Sequence, residues 1–255
     1  KNVSLIACED TRITGRLLNN YKISNKIISF HKYNFKEKIP YLIAKLKDGA
    51  SIALVSDAGT PLISDPGELL VSEIKKSSLD VISIPGACAA LSALVSSGLP
   101  ANKFTFYGFL PRKGKEREFY LESISKNIFS SIVYESPKRI KKLLMDLKFY
   151  CNGDREISLA KELTKKYEQN IFTTIDDTLK SIKNLQIKGE FTIVIRGINK
   201  KEEVNNLEIK KDLINLMKAG LSHAAASNYL SKKTGKSKKY IYQLILNNES
   251  KFICD

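Results

Sequence analysis

Three short charged stretches each follow an apolar run. They are Glu9, Asp10 and Arg12 in ACEDTR (7–12), Tyr134 and Glu135 in VYES (133–136), and Lys161, Glu162 and Lys165 in LAKELTK (159–165). Carboxylates beside cations can take a proton, orient a phosphate or balance developing charge. Any one of these stretches is served equally well by a solvated turn or an ion pair. Several of them, at the ends of runs that otherwise read as buried strands, suggest a common cleft. A fourth stretch, IALVSDAGTPLISDPG (52–67), climbs to Val55 and breaks into Ser56-Asp57-Ala58-Gly59-Thr60-Pro61, with a second acidic turn at Asp65-Pro66-Gly67. Asp, Gly and Pro stop strands. Loops at the carboxyl ends of parallel strands are also where α/β proteins hold ligands. A fifth, PGACAALSAL (85–94), follows an apolar run and opens a helix. Its small residues admit a second backbone or a ligand, and a helix start offers backbone N–H donors. Tight helix–sheet packing would use the same residues.

Other chemistries find no support. There is no G-x-G-x-x-G and no G-x-x-x-x-G-K-[ST], so neither a dinucleotide fingerprint nor a P-loop is present. Neither His31 nor His223 has a nearby nucleophile-elbow serine. Cys8, Cys88, Cys151 and Cys254 are far apart and form no C-x-x-C pair. No metal site and no disulfide framework is expected, which fits a reducing, cytoplasmic setting. The most apolar segment, ACAALSALVSSGL, is too short and too rich in Ser and Gly to cross a bilayer. The opening residues KNVSLIACEDTR read as strand and turn, not as a signal peptide.

The elements that must position these residues alternate. VSLIACEDT, NKIISFH, SIALVSDAG and LDVISIPG read as strands. Between them GRLLNNY, EKIPYLIAKLKDG (closed by Gly49), PGELLVSEIKKSS and ACAALSALVSSG read as helices. Near-continuous apolar strands alternating with helices predict a parallel or mostly parallel sheet covered on both faces. After FTFYGFLP comes the basic run RKGKERE, a domain boundary or a mobile loop. The alternation resumes with strands FSSIVYES, REISLAKELT and EFTIVIRG and helices PKRIKKLLMDLKFY and DTLKSIKNL. Two α/β domains are expected, 1–110 and 111–197. A polar linker, INKKEEVNN, then leads to a helical unit over 208–255: EIKKDLINLMKAG, a helix capped by Ser222, a turn at Gly235, and a helix capped by Ser237. The texture is that of a helix-turn-helix. Lysines 232, 233, 236, 238 and 239 favour phosphate contact. The 255 residues suit one large domain or two smaller ones with an appendage. A formal net charge of +15 points to a polyanionic partner, although a Lys-rich composition on solvated faces has the same sign.

Taken together, ACEDTRITGRLL, ALVSDAGTPLISDPG, PGACAALSALVSSGLP, FYGFLPRKGKER, VYES and LAKELTKKYE resemble the tetrapyrrole methylases. More narrowly, they resemble the branch that 2′-O-methylates a cytidine in the decoding centre of small-subunit ribosomal RNA. The resemblance runs from about Val3 to Gly197 in order and spacing, and the helical unit resembles that branch's extension. It implies two α/β domains with S-adenosylmethionine folded in the cleft between them, a homodimer, and no metal. It places Asp57, Gly59 and Thr60 by the methionine part of the cofactor, with Cys88 and Ala89 against it. Tyr134 and Glu135 match a wall from the second domain, and Ala160 and Thr192 match positions whose backbones approach the adenine. Members of the family open with an extra strand and a Pro-x-Gly-Asn-Leu loop. The residues at hand start at the strand that follows, so a first sheet one strand short and a cofactor site short of one wall are expected.

For a ribose acceptor, the candidate proton acceptors are Asp10, Glu135 and Glu162. Arg12 and Lys161 are candidates to orient a phosphate or stabilise an alkoxide. Structural ion pairs are the alternative for all five. The basic loop Arg112, Lys113, Lys115 and Arg117 and the C-terminal lysines would hold the phosphate backbone of the small subunit's RNA. Three other readings remain open: a tetrapyrrole acceptor, a modified protein side chain as acceptor, and a non-catalytic ribosome-binding module.

Overall fold

The computed structural model describes residues 1–182, 188–198 and 200–249. Cys254 lies outside them, as does the end of the helix expected over DTLKSIKNL. The chain divides into two compact units, Lys1–Ser96 and Ser97–Asp255.

In the first unit the order is β1 (Leu5–Cys8), α1 (Thr11–Asn20), β2 (Ile27–Ser29), α2 (Phe35–Lys47), β3 (Ile52–Val55), α3 (Glu68–Lys76) and α4 (Ala89–Ser96). The three strands form a parallel sheet in the order β2-β1-β3. Leu5, Ala7, Phe30, Leu42, Leu70 and Ile74 make its core. Gly49, at φ +85, follows α2 as expected. One expectation fails: LDVISIPG is not a strand. Val81 packs on the core, whereas Ile82 is 81% and Ile84 77% exposed. Apolar residues extend a chain, but a strand also needs a neighbouring ladder for its backbone. No described strand supplies one here.

The second unit holds β4 (Phe104–Phe109), α5 (Lys115–Lys126), β5 (Ser130–Glu135), α6 (Ile140–Cys151), β6 (Glu156–Lys161), β7 (Gln169–Thr174), α7 (Ile175–Ser181) and β8 (Phe191–Ile195). Its sheet runs β4-β5-β8-β6-β7, and only the β4–β5 pair is parallel. The mostly parallel reading therefore holds for the first sheet and is corrected for the second. β7, at an edge, has only Ile171 and Phe172 as apolar residues, adjacent and so without the alternation that marks a strand. It returns from β6 across a loop too short for a parallel crossover. The basic run after Pro111 becomes the start of α5, and Arg117 is only 4% exposed. Its Nε and Nη2 donate to Asp146 Oδ2 at 2.9 and 2.8 Å, and its Nη1 donates to Pro111 O at 2.8 Å. Arg117 thus pins α5 to α6 and is removed from the expected RNA-facing set.

Three further helices follow: α8 (Lys200–Lys218), α9 (His223–Thr234) and α10 (Lys238–Glu249). They share a core of Ile209, Leu213, Ala226, Leu230 and Ile241. The polar stretch read as a linker is, from Lys200 onward, the start of α8. Its Lys and Glu residues favour helix regardless of burial. Ser222 Oγ caps α9, Gly235 adopts the left-handed conformation after it, and Ser237 Oγ accepts from Tyr240 N at 3.2 Å. The expected caps and turn are present.

Candidate active site

In the first unit, β1 and β3 lie side by side with Cys8 opposite Val55. The residues that follow each strand therefore leave the sheet together. Asp10 caps α1, its Oδ1 accepting from Arg12 N at 2.8 Å. Arg12 Nε and Nη2 donate to the same carboxylate at 3.0 and 2.6 Å. The Asp10 backbone N–H donates to Asp57 Oδ1 at 3.2 Å. Hydrogen bonds from Arg12 hold the Asp10 carboxyl far below its ordinary value and raise the guanidinium in turn. The Arg12 side chain is 84% exposed and that of Asp10 24%, so the pair is accessible from solvent. Cys8, beneath them, is sealed: its Sγ donates to Ile28 O, and burial raises its pKa.

The loop after β3 folds against the turn into α4. Ser56 Oγ donates to Ala58 O and Gly59 O at 3.2 and 3.1 Å. Thr60 Oγ1 donates to Ala87 O at 2.9 Å. Gly59 sits at φ +77, and a Cβ there would lie 3.4 Å from Ala87 O. Leu62 and Ser64 also hold positive φ, 73° and 66°. Backbone strain of this kind persists only where the surroundings enforce it and gathers at functional sites. Asp57, Gly59, Thr60, Cys88 and Ala89, expected to share one site, are brought together by these contacts. Asp10 and Arg12 adjoin them through Asp57.

In the second unit the sheet register sorts the remaining candidates. Tyr134 lies opposite Thr192, and Thr192 opposite Ala160, so the three form one row on one face. The next row is Glu135, Phe191 and Lys161. Side chains alternate between faces, so Glu135 and Lys161 point away from the Tyr134 row, to the face where Val133, Leu159 and Ile193 join the helix-covered core. The Glu135 side chain is fully buried. Its Oε2 lies 3.0 Å from Arg139 Nη2, and its Oε1 accepts from Ser136 N at 2.7 Å. Arg139 in turn donates to Leu110 O at 2.6 Å. Glu162, at φ +50, joins two loops. Its Oε1 accepts from Glu190 N at 2.8 Å and from Lys165 Nζ at 3.0 Å. These contacts, the Glu190 N–H first, hold its carboxyl below the ordinary 4.5. Lys165 also pairs with Glu190.

Sequence reasoning missed Arg139, Gly189 and the rings around Tyr134. Arg139 was legible as the i+4 partner of Glu135. Gly189, at φ +89, leaves no room for a Cβ beside the Glu162 side chain. Phe106 and Phe109 meet the Tyr134 ring edge-on at 5.0 and 5.5 Å. Among the described residues no cluster of His, Cys, Asp and Glu could hold a metal ion. No described helix is long and apolar enough to cross a membrane.

Residues 1–179 match the family of tetrapyrrole (corrin/porphyrin) methylases. Ribosomal RNA small subunit methyltransferase I of Synechocystis sp. is 40% identical over 252 residues, 98% of this chain and 90% of that protein. The fold is similar to that of a cobalt precorrin-4 methyltransferase from cobalamin biosynthesis, with a TM-score of 0.56 at 14% identity over 76% of this chain and 84% of the other. It is also similar to uroporphyrin-III C-methyltransferase of Thermus thermophilus complexed with S-adenyl homocysteine, with a TM-score of 0.51 at 14% identity over 76% and 86%. The chain belongs to the tetrapyrrole methylase family, in the branch that holds ribosomal RNA small subunit methyltransferase I.

Proposed function

We propose that the protein methylates the 2′-oxygen of a cytidine in the decoding centre of small-subunit ribosomal RNA, with S-adenosylmethionine as donor, and that it works as a homodimer. The observation that carries this reading is the hydrogen bond from Asp10 N to Asp57 Oδ1. It ties an accessible carboxylate–guanidinium pair to the strained loop after β3.

The residues of that loop suit the donor. Gly59 and Ala87 pack backbone to backbone, and Cys88 and Ala89 present small side chains. Asp57, Gly59, Thr60, Cys88 and Ala89 would hold it, and Tyr134, Ala160 and Thr192 are proposed as its contacts in the second unit. Bound S-adenosylmethionine supplies a methyl group already activated by its sulfonium. Positioning the acceptor in line can contribute about 7–11 kcal/mol. Asp10, ionised across the physiological range, would accept a hydrogen bond from the 2′-hydroxyl and take its proton as the new O–C bond forms and the donor's S–C bond breaks, the donor leaving as a neutral thioether. Such a base adds about 10²–10⁴-fold. Arg12, released from Asp10 by the incoming RNA, holds the neighbouring phosphate. Glu135, Lys161 and Glu162 position the second unit's strand ends.

Incubation with methyl-labelled S-adenosylmethionine and small ribosomal subunits that lack the modification should place the label in RNA. Nuclease digestion should release it as 2′-O-methylcytidine. Label appearing in a porphyrinogen and not in RNA, or in neither, overturns the proposal.

A further inference from the structure

The second unit contains a cavity of about 450 Å³ that the methyl-transfer reading leaves unused. One wall is the end of the mixed sheet where β6 begins and β8 finishes, with Arg155, Arg196 and Gly197. The other is Asn206 of α8 with Lys236 and Tyr240 at the turn into α10. β6 runs from Glu156, at the cavity, to Ala160, in the Tyr134 row. Four residues at 3.3 Å each separate the two ends by about 13 Å.

The lining holds three cations, Arg155, Arg196 and Lys236, against two carboxylates, Asp154 and Glu156. Arg155 Nη1 donates to Arg196 O at 3.0 Å, and its Nη2 reaches Ser125 O at 3.5 Å. These partners are carbonyls, and among the described residues no ion pair of Arg155 accompanies them. Arg196 is paired with Glu156. The Lys236 ammonium lies 5.0 Å from the centroid of the Tyr240 ring. Among the described residues, Asn206 Oδ1 is buried without a hydrogen-bond partner. A buried acceptor left unmade is costly, so a ligand N–H is its natural complement. An aromatic plane beside cations, with one orphaned acceptor, is the equipment for an unstacked base and its phosphate. The size suits such a ligand.

We propose that this cavity anchors one unpaired nucleotide of the RNA substrate. The base lies on Tyr240 and donates an N–H to Asn206 Oδ1, and the phosphate meets Arg155 and Lys236. The site would set the register of the RNA at a distance from the reacting ribose. The proposal rests on reading the chain as an RNA methyltransferase.

The test is fluorescence anisotropy with the full chain and a labelled single-stranded hexaadenylate. Tyr240→Leu, which keeps apolar bulk, and Lys236→Gln should each weaken binding about fivefold or more. Lys45→Gln, on the exposed face of α2, should leave it unchanged. In the unaltered protein, a hexamer carrying one 4-thiouridine should crosslink within 235–240. Unchanged affinity of Lys236→Gln, or crosslinks confined to other segments, overturns the anchor even if Tyr240→Leu unfolds. Titration of the same variants with S-adenosylmethionine should match the unaltered protein. If the unaltered protein binds the hexamer here but transfers no methyl group to RNA, the proposed function fails and the anchor stands.

Discussion

At the scale of single residues, the carboxylates that look alike in sequence have been given different work. Glu135 is sealed on the helix-covered face with Arg139. Removing one partner of a fully buried pair costs about 3–5 kcal/mol. Arg139 keeps 26% of its side chain exposed, so Glu135→Gln should cost about 2–3 kcal/mol in urea denaturation. Methyl transfer by the folded fraction should stay within a few-fold. A collapse of turnover with stability intact would make Glu135 the base instead. Glu162 is a strut whose folded pKa is depressed. Its contribution is therefore present above the ordinary 4.5 and is lost as the pH falls through the folded value. Urea denaturation at pH 7 and pH 3 should show a smaller difference for Glu162→Gln than for the unaltered chain.

At the scale of elements, Asp10 serves a helix as well as a substrate. Asparagine caps nearly as well as aspartate, whereas alanine loses about 1 kcal/mol. Asp10→Asn should therefore melt close to the unaltered protein yet turn over about 10²-fold or more slowly. Asp10→Ala should lose both. Equal turnover for Asp10→Asn would reduce Asp10 to a cap. The three terminal helices are held by their own small core, in which Leu213 is fully buried. Leu213→Ala should cost about 2–5 kcal/mol, and calorimetry should show a low-temperature transition split from that of the sheets.

At the scale of the whole molecule, the charge of +15 is unevenly useful. Arg117 is committed to Asp146, and Lys165 to Glu162 and Glu190. Lys232, Lys233, Lys238 and Lys239 lie exposed around the α9–α10 turn, with Lys233 also paired to Asp212. Replacing these four by Gln should weaken ribosomal RNA binding. It should also lower the slope of log K against log salt by about 0.7–0.9 for each phosphate that is no longer neutralised. A parallel salt series would show that the RNA is held elsewhere.

Periodicity, caps and turn residues are local, so the amino-acid sequence alone specified most helices and strands and the caps and turn of the terminal helices, whereas it was the resemblance to the methylases that set the loop after Val55 beside Cys88 and Ala89. Strand direction in the second sheet, the edge strand β7 and the loss of VISIPG as a strand depend on which backbones find partners, and that is a property of the packed chain. The same holds for side-chain roles. Asp10, Glu135 and Glu162 are all carboxylates after apolar runs. Only the register placed Glu135 on the closed face, only a left-handed loop gave Glu162 to Glu190, and only the adjacency of β1 and β3 joined Asp10 to Asp57. Burial and hydrogen-bond partners are set by residues distant in sequence, and it is these that decide which charge is structural and which can react.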